Sequence, residues 1–234
     1  MSGDARRRLE VQAKRPLVLY GIGAQARTVV NEIDAAGTHR VAGYTVDRTY
    51  VSGDTHAGLP LVAFETVETS FSPADYDLLV LVGYRRMRGR RDAFARARAK
   101  GYRLPNIVSP GARLDAGIEM GENNLVGELV YCGPGVHLGD NNVIRPLTHV
   151  GHNTSIGSHN FIAPSVAIAG TCAIGDLCYV GIGATVCDRV RLGDETLLAA
   201  GAVLTADAPP FSQFAGNPAR QVGEHPETGI LLLG

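Results

Sequence analysis

The sequence has no tryptophan, and aromatic residues make up only 6% of its 234 residues. A core built around large aromatic side chains is therefore not expected. Long apolar runs are also missing: none approaches the roughly 20 residues of a membrane-spanning helix, so we expect no membrane partner. Residues 1–15 are polar and charged and lack the apolar part of a secretory signal, which predicts a cytoplasmic protein with a frayed N-terminus.

Neither sign of charge is in excess, because 22 lysine and arginine residues face 23 aspartate and glutamate residues, for a formal net charge of −1. Such a balance offers no overall attraction to nucleic acid or to an anionic surface. Cysteine is scarce as well, and no CxxC pair with partner ligands is present, which disfavours a disulfide framework and a zinc site. We expect small, buried, reduced side chains at Cys132, Cys172, Cys178 and Cys187.

Glycine is abundant instead, with 29 residues, and many of them belong to a repeat with a period of six. From Val108 to Leu204 an aliphatic or small apolar residue returns at every sixth position without a change of phase. This period fits neither an α-helix nor an alternating β-strand, and it is typical of a parallel β-helix made of hexapeptides. Small residues beside each apolar position suit the tight turns of such a coil. We predict this β-helix, with a C-terminal tail, over residues 106–234.

A different pattern precedes the repeat, and it predicts a small α/β domain over residues 1–105. An apolar run at residues 16–20 leads into a GxGxxA turn at residues 21–26, and the following helix is expected to end at Gly37. Strand, glycine turn and helix in this order are typical of a phosphate-binding βα turn, where bare backbone and a helix N-terminus approach a diphosphate. The candidate ligand contacts in this turn are Gly21, Gly23 and Gln25.

Two further strands of this domain end beside candidate ligand contacts. The predicted strand at residues 41–46 ends at Asp47, whose carboxylate could accept hydrogen bonds from a ribose or a base. A third strand at residues 78–82 precedes a basic helix at residues 85–100, whose arginines we expect mostly on a solvated face. About 100 residues are too few for a complete two-halved dinucleotide fold, which disfavours a nicotinamide cofactor. The residues nearest the end of the third strand are Gly83, Tyr84, Arg85 and Arg88.

Histidine is concentrated in the middle of the repeat, at His137, His149, His152 and His159. His152 follows the inward Val150 by two residues, where a regular coil accepts almost any polar side chain. The coil itself therefore does not require histidine there. A solvated surface histidine is the ordinary interpretation of such a residue, and a general base is the functional one, because an imidazole titrates near neutral pH.

The chain resembles a known family in the order of its parts: a GxGxxA α/β domain, a hexapeptide repeat, and a closing Gly-Asn-Pro-Ala-Arg segment at residues 216–220. Over nearly the whole chain this order is similar to that of the sialic acid O-acetyltransferases and the bacillosamine-pathway nucleotide-sugar N-acetyltransferases. The resemblance implies an α/β plus all-β fold, in which a small Rossmann-like domain precedes a left-handed parallel β-helix with three hexads per triangular coil. It also implies a homotrimer with active sites between protomers.

The same resemblance implies transfer from acetyl-CoA, without a metal, to the amino group, or less favourably a hydroxyl group, of a nucleotide-linked deoxysugar. In the family's His-acidic-x-x-Ile-Gly pattern, the general base falls on His152 and the acidic position on Asn153. His149 could lie in the same groove as His152 and help to orient it or to bind the substrate. The family's Ala-Gly element puts the backbone N–H for the thioester oxygen at Gly170, and Gln25 stands where the family often has histidine. Coenzyme A contacts are implied for Gly170, Ala200, Gly216, Pro218, Ala219 and Arg220.

Two other functions stay open from the sequence. One is a metal hydratase built on the same β-helix and similar to the γ-class carbonic anhydrases, which would need three histidines from adjacent protomers to converge on zinc. The candidates are His149, His152 and His159, although their spacing does not match that family's and residues 216–220 would have no role. The other function is a non-catalytic β-helix that only trimerises or binds a nucleotide, and the histidine at the base position argues against it.

Overall fold

The computed structural model describes residues 15–83 and 85–232 of the chain. The expectations for residues 1–14 and for Tyr84 therefore lie outside the described residues. Within them the chain forms a five-stranded sheet with helices, followed by three sheets whose short strands run parallel. No helix in the described part of the chain has the length and apolar character that crossing a bilayer requires.

The N-terminal part is a mostly parallel sheet with helices packed on it. Its elements are β1 (Leu17–Tyr20), α1 (Ala24–Ala36), β2 (Val41–Val46), β3 (Thr55–His56), β4 (Leu59–Ala63), α2 (Val67–Ser70), β5 (Asp77–Val80) and α3 (Met87–Ala99), with short 3-10 turns at Arg48–Tyr50 and Phe64–Thr66. The strand order is β3-β4-β2-β1-β5, and only the β3–β4 pair is antiparallel. The predicted second strand is confirmed, and α1 ends as predicted at Gly37, which takes the left-handed conformation with φ of 57°.

The third predicted strand and the basic helix are both shorter than expected. β5 ends at Val80 and α3 begins only at Met87. The late start of α3 has a long-range cause, because the backbone before this helix pairs with the C-terminal residues of the chain. Leu232 donates its backbone N–H to Arg85 O at 3.0 Å, which holds this turn outside the helix.

The repeat forms one two-residue strand in every hexad, as the period predicted. The strands are β6 (Ile107–Val108), β7 (Arg113–Leu114), β8 (Glu119–Met120), β9 (Leu125–Val126), β10 (Tyr131–Cys132), β11 (His137–Leu138), β12 (Val143–Ile144), β13 (His149–Val150), β14 (Ser155–Ile156), β15 (Phe161–Ile162), β16 (Ala167–Ile168), β17 (Ala173–Ile174), β18 (Tyr179–Val180), β19 (Thr185–Val186), β20 (Arg191–Leu192), β21 (Leu197–Leu198) and β22 (Val203–Leu204). Strands three hexads apart pair in parallel: Val150 lies beside Ile168, 18 positions later (168 minus 150). The predicted apolar column fills the interior.

Asparagine side chains at the inner corners form a hydrogen-bonded ladder that runs along the prism. The side-chain oxygens of Asn106, Asn124, Asn142 and Asn160 each accept a hydrogen bond from a backbone N–H one coil further on, at 2.7, 2.9, 3.0 and 2.6 Å. Each amide oxygen of this ladder is therefore paired, whereas Asn160 Nδ2 is buried without a hydrogen-bond partner among the described residues. All four cysteines are free, and all are buried as predicted except Cys187, which is half-buried.

A hairpin closes the end of the prism after β22. β23 (Ser212–Gly216) runs parallel to β21, and β24 (Ala219–Glu224) pairs with β23 in the antiparallel sense. Phe214 and Ala219 lie on the buried face of this hairpin and join the apolar interior of the coils. The last coil is therefore covered by the hairpin.

One corner column of the prism contacts the N-terminal sheet. It contains Asn123, Asn141 and His159, each 18 positions from the next. Asn123 pairs with the edge strand β5, because its Oδ1 accepts from Val80 N–H at 2.8 Å and its Nδ2 donates to Val80 O at 3.1 Å. The amide thus takes the place of a neighbouring strand at this edge.

Most arginines of the basic segment are exposed, as predicted, but Arg90 is buried, with 1% of its surface exposed. Its Nη1 donates to Val82 O and its Nη2 to Asn141 O, both at 2.8 Å. Desolvation lowers the pKa of Arg90 to about 10, and no carboxylate among the described residues pairs with it. The expectation of a solvated face is therefore wrong for Arg90, because its guanidinium joins α3, the loop after β5 and the β-helix.

His159 lies next to this contact. Its Nδ1 accepts a hydrogen bond from Asn141 Nδ2 at 3.0 Å, and its ring meets Phe94 edge to face at 5.4 Å between centroids. Desolvation, and after it the charge of Arg90, lowers the pKa of His159 to about 4. The neutral imidazole is therefore the folded form near neutral pH.

The substitution Arg90→Met should lower the free energy of unfolding by about 2–4 kcal/mol, because it leaves the carbonyls of Val82 and Asn141 without donors. Urea unfolding measures the change. Arg98→Met is the matched control on the same helix, since Arg98 is exposed and its ion pairs are long, at 3.7 and 3.8 Å. We expect the control to change stability by less than about 0.5 kcal/mol, and an equal loss in both variants would contradict the role of Arg90.

The free energy of unfolding should fall as the pH drops from about 6.5 toward about 4, because the unfolded chain takes up a proton at His159 that the folded chain excludes. Above about pH 6.5 His159 is neutral in both the folded and the unfolded chain, so the free energy of unfolding no longer changes with pH through this residue. His159→Gln should flatten the dependence, which urea unfolding at a series of pH values measures. His137→Gln, at an exposed histidine, is the control. If the free energy of unfolding of His159→Gln depends on pH as steeply as that of the unaltered protein, His159 is not the group responsible.

Candidate active site

The candidate base lies at one corner of the prism, between β13 and β14. Equivalent corners stack at intervals of 18 residues in the order Pro134, His152, Gly170 and Asp188. Backbone hydrogen bonds hold the stack in register: Asn153 N–H donates to Pro134 O at 2.9 Å, and Thr171 N–H donates to His152 O at 2.8 Å. The side chain of His152 is exposed. This corner therefore presents an accessible imidazole from a rigid backbone.

Gly170 lies directly beneath that imidazole. A Cβ added at Gly170 would be 2.6 Å from His152 Nε2 and 2.8 Å from Cε1, so a larger residue would displace the ring. The Gly170 N–H meets no hydrogen-bond acceptor within residues 15–83 and 85–232. The structure thus brings together the two residues predicted as base and oxyanion donor.

Asn153 lies beside the other nitrogen of the same ring. Its Nδ2 is 3.3 Å from His152 Nδ1, and its backbone is left-handed, with φ of 55°. With the amide turned by 180°, Oδ1 would accept from Nδ1–H and leave Nε2 free to accept a proton. An asparagine can therefore fix the tautomer of His152 without supplying a negative charge.

His149 is exposed on the side of the prism that leads to this corner. Its ring stacks on Tyr131 with 5.0 Å between centroids, and the Tyr131 hydroxyl donates to Asp115 at 2.9 Å. No hydrogen bond joins His149 to His152 in the part of the chain that is described. His149 thus contributes an aromatic surface near the candidate base.

The predicted coenzyme A contacts occupy separate places in one chain. Ala200 is exposed at the corner between β21 and β22, which is a different column from that of Gly170. The segment at residues 216–220 forms the turn of the terminal hairpin, with a cis peptide bond between Asn217 and Pro218. The Arg220 side chain is exposed and donates to Ala219 O at 3.0 Å. A single protomer therefore does not gather these residues around one ligand.

The N-terminal part contains a cleft of about 840 Å3 at the carboxyl end of the sheet. Four of the predicted ligand contacts line it, namely Asp47, Gly83, Arg85 and Arg88. Other residues that line the cleft were not predicted from the sequence: Tyr20, Arg96 and the C-terminal residues Glu227, Thr228, Ile230 and Leu231. The basic composition of residues 85–100 was the one sequence signal that could have included Arg96.

Asp47 already has partners within the protein. The Tyr20 hydroxyl donates to its Oδ1 at 2.5 Å, and Arg96 forms an ion pair with it at 2.8 Å. Desolvation opposes its ionisation, but the hydrogen bonds from Arg96 and Tyr20 prevail and hold the pKa of Asp47 below its ordinary value. The carboxylate is therefore charged at neutral pH, and a ligand would share it with these two side chains.

The glycine turn lies apart from this cleft. The backbone of Gly21 takes a φ of 133°, and a Cβ added there would lie 3.0 Å from the carbonyl oxygen of Leu81. Gly23 is the N-cap residue of α1 and has no side chain that could bond the first turn. Gln25 lines a smaller cavity of about 310 Å3 between α1 and the β-helix, together with Arg145. Both amide atoms of Gln25 are buried without a hydrogen-bond partner in the described part of the chain.

The three histidines considered for a zinc site do not converge within the chain. His159 faces Phe94 and Asn141 at the contact between the two parts, whereas His149 stacks on Tyr131. Among the residues that the structure describes, no group of three or more histidine, cysteine, aspartate or glutamate side chains is arranged to hold a metal ion.

Comparison with known proteins relates this architecture to sugar acetylation. Residues 135–170 match the family model for the bacterial transferase hexapeptide (six repeats). The structure is similar to that of a variant of perosamine N-acetyltransferase from Caulobacter crescentus in complex with CoA and GDP-perosamine, with a TM-score of 0.81, 26% identity, and coverage of 89% of this chain and 97% of that chain. No curated protein matches the chain in sequence.

Two further solved structures share the architecture. The acetyltransferase domain of PglB from Neisseria gonorrhoeae, in complex with acetyl coenzyme A, has a TM-score of 0.80, 26% identity, and coverage of 89% of this chain and 100% of that chain. WeeI from Acinetobacter baumannii shares the fold at 20% identity, with a TM-score of 0.74 and coverage of 88% and 99%. The chain carries the bacterial transferase hexapeptide repeat and has the fold of the left-handed β-helix sugar N-acetyltransferases.

Proposed function

We propose that this protein is an acetyltransferase that moves an acetyl group from acetyl-CoA to the amino group of a nucleotide-linked deoxysugar, with a hydroxyl group as the less favoured acceptor. The observation that carries the proposal is the His152 imidazole above the α-carbon of Gly170. A base beside a free backbone N–H suits acyl transfer. Solved structures of this fold in complex with CoA and GDP-perosamine, or with acetyl coenzyme A, support the same reaction class.

In the proposed reaction the acceptor nitrogen attacks the carbonyl carbon of the thioester. His152 takes up, at Nε2, the proton that the nitrogen loses as the C–N bond forms. The Gly170 N–H donates a hydrogen bond to the carbonyl oxygen while negative charge develops on it. When the C–S bond breaks, the imidazolium returns the proton to the departing thiolate, so the products are the N-acetylated sugar and free CoA.

The spread of the coenzyme A candidates supports a site shared between protomers of a homotrimer. Ala200 and Gly170 lie at different corners, so adjacent prisms would form a groove between them. Ile182 stands 18 positions before Ala200 and is 55% exposed, and Leu129 and Leu147, at the same corner of earlier coils, are 60% and 58% exposed. Such an apolar edge suits burial against another prism.

We assign the N-terminal part, as a small Rossmann-like domain, to the nucleotide of the acceptor. A cleft of about 840 Å3 has room for a nucleoside diphosphate. Arg85 and Arg86 are exposed beside it without an acidic partner among the described residues, so they are available to phosphate oxygens. We place the reaction in the cytoplasm, since four free cysteines suit a reducing compartment.

The substitution His152→Ala should lower the turnover rate by about 10²–10⁴-fold with the fold intact, because the base that accepts the proton is lost. Release of free CoA with UDP-, GDP- and dTDP-linked 4-amino sugars measures the rate. His137→Ala is the matched control, at an exposed histidine of β11 whose ring lies beside Glu119 rather than over Gly170. Full activity of His152→Ala would remove this residue from the role of base, and no CoA release from the unaltered protein with any of the three acceptors would contradict the proposed function.

The substitution Asn153→Asp should move the acid limb of the pH profile of kcat/KM to higher pH by about one unit, because a carboxylate beside Nδ1 stabilises the imidazolium. Aspartate also tolerates the left-handed backbone at this position. Initial rates between about pH 5 and pH 9 measure the profile. An unmoved acid limb would mean that the group titrating in that limb is not His152.

A further inference from the structure

The last described residues, 225–232, leave the end of β24 and return to the N-terminal sheet, and we call them the C-terminal strap. Neither the hexapeptide period nor the glycine turn accounts for this segment. Four of its residues line the same cleft as Asp47 and Arg85, namely Glu227, Thr228, Ile230 and Leu231. The C-terminal strap thus links the end of the prism with the cleft assigned to the nucleotide.

The C-terminal strap begins at an anchor on the last coils. His225 is buried, and its backbone N–H donates to Phe211 O at 2.9 Å. Its Nε2 donates to Glu195 O at 2.6 Å, since a carbonyl oxygen can only accept. Its Nδ1 is then left to accept from Gln213 Nε2 at 3.1 Å. Both ring nitrogens are satisfied, so the direction in which the chain leaves β24 is fixed.

Arg88 forms a second anchor that joins three parts of the chain. Its Nε donates to the carboxylate of Glu195 at 2.8 Å, and its Nη1 and Nη2 donate to the carbonyls of Glu227 and Pro226 at 2.6 and 2.9 Å. The side chain of Glu195 is only 8% exposed, so the ion pair is shielded from water. The arginine predicted as a ligand contact thus holds α3, the prism and the C-terminal strap together.

Gly229 passes directly over this ion pair. A Cβ added there would lie 2.5 Å from Glu195 Oε2 and 2.7 Å from Arg88 Nε. Its backbone is also left-handed, with φ of 65°, which favours glycine. A larger residue at this position must displace either the C-terminal strap or the ion pair.

The C-terminal strap ends by pairing with the turn that precedes α3. Leu232 N–H donates to Arg85 O at 3.0 Å, and Met87 N–H donates to Ile230 O at 3.3 Å. Ile230 is buried in the same apolar cluster as Met87. The backbone that carries Arg85 and Arg86 is therefore held by the C-terminal strap, through an antiparallel bridge between Arg86 and Leu231 as well.

We propose that the C-terminal strap is a positioning element for the acceptor, which forms one wall of the nucleotide cleft and holds Arg85 and Arg86 where they bind the diphosphate. This inference rests on the proposed function of the cleft. Guanidinium groups bind phosphate oxygens as planar, bidentate donors, and the backbone pairing at residues 85–87 fixes the points from which these two side chains extend. The candidate coenzyme A contacts lie elsewhere, so the C-terminal strap acts on nucleotide binding alone.

The test compares Gly229→Ala with Gly223→Ala, the matched control in β24, where an added Cβ has its nearest neighbour at an ordinary 3.5 Å. Calorimetric titration measures the affinity for GDP, UDP and dTDP, and separately for CoA. For the diphosphate that the unaltered protein binds most tightly, Gly229→Ala should raise Kd by about tenfold or more and leave Kd for CoA within about twofold. In turnover, KM for the acceptor should rise more than kcat falls.

Arg88→Lys is a second variant, which tests whether the C-terminal strap controls diphosphate affinity even if Gly229→Ala does not fold. Lysine keeps the positive charge but cannot bind Glu195 and two carbonyls at once, so we expect the same selective loss of diphosphate affinity. Hydrogen exchange at the Met87 amide, which donates to Ile230 O, should accelerate in both variants. Thermal unfolding establishes that each variant is folded before it is titrated.

Unchanged diphosphate affinity in the folded variants would overturn the proposal, and so would tighter binding, because the C-terminal strap would then obstruct the cleft. A protein that binds none of the three diphosphates would also overturn it, while CoA release dependent on His152 would still support the proposed function. Conversely, diphosphate binding that weakens in both variants, without any acetyl transfer, would support the C-terminal strap and contradict the proposed function.

Discussion

The hydrogen bonds between each coil and the next, 18 residues further along the chain, are the interactions on which the rest of the structure depends. Bonds such as that from Gly151 N–H to Ile168 O, at 2.8 Å, repeat along the sides of the prism and keep equivalent corners above one another. A residue's position within the 18-residue coil therefore decides whether it faces the interior, the N-terminal sheet or solvent. His152 and Gly170 meet because they stand one coil apart at the same corner.

Periodicity made the β-helix predictable from the sequence, and the resemblance to the acetyltransferases pointed to His152 and Gly170 within it. An uninterrupted phase from Val108 to Leu204 fixes which side chains point inward, and the strands follow it in every hexad. The separation of His152 from Gly170 is one full coil, so their contact followed from the same period. Periodicity does not determine how a corner side chain turns, and the stacking of His149 on Tyr131 depends on such a rotation.

Contacts between residues far apart in the sequence explain what could not be predicted. Arg88 bonds Glu195 across 107 positions, and Arg90 bonds Asn141 across 51. Both arginines belong to one basic segment, and a local pattern of charge predicts only a solvated face, because nothing in it tells which guanidinium becomes enclosed. Asp47 ends its strand as expected, but its ion pair with Arg96 depends on where α3 packs. The sequence therefore identified four residues of the cleft, whereas the glycine turn, which was also predicted to contact the ligand, does not line it.

The hairpin of β23 and β24 also limits how far the stack of coils can grow. A parallel β-helix that ended on an open coil would offer its free N–H and C=O groups to the end of another molecule, and identical prisms could then join into fibres. β24 breaks that continuation because it runs antiparallel, and it presents the exposed side chains of Arg220, Gln221 and Glu224. The hairpin that contains the segment proposed to border coenzyme A thus also covers the last coil, so the stack of coils ends there within the chain.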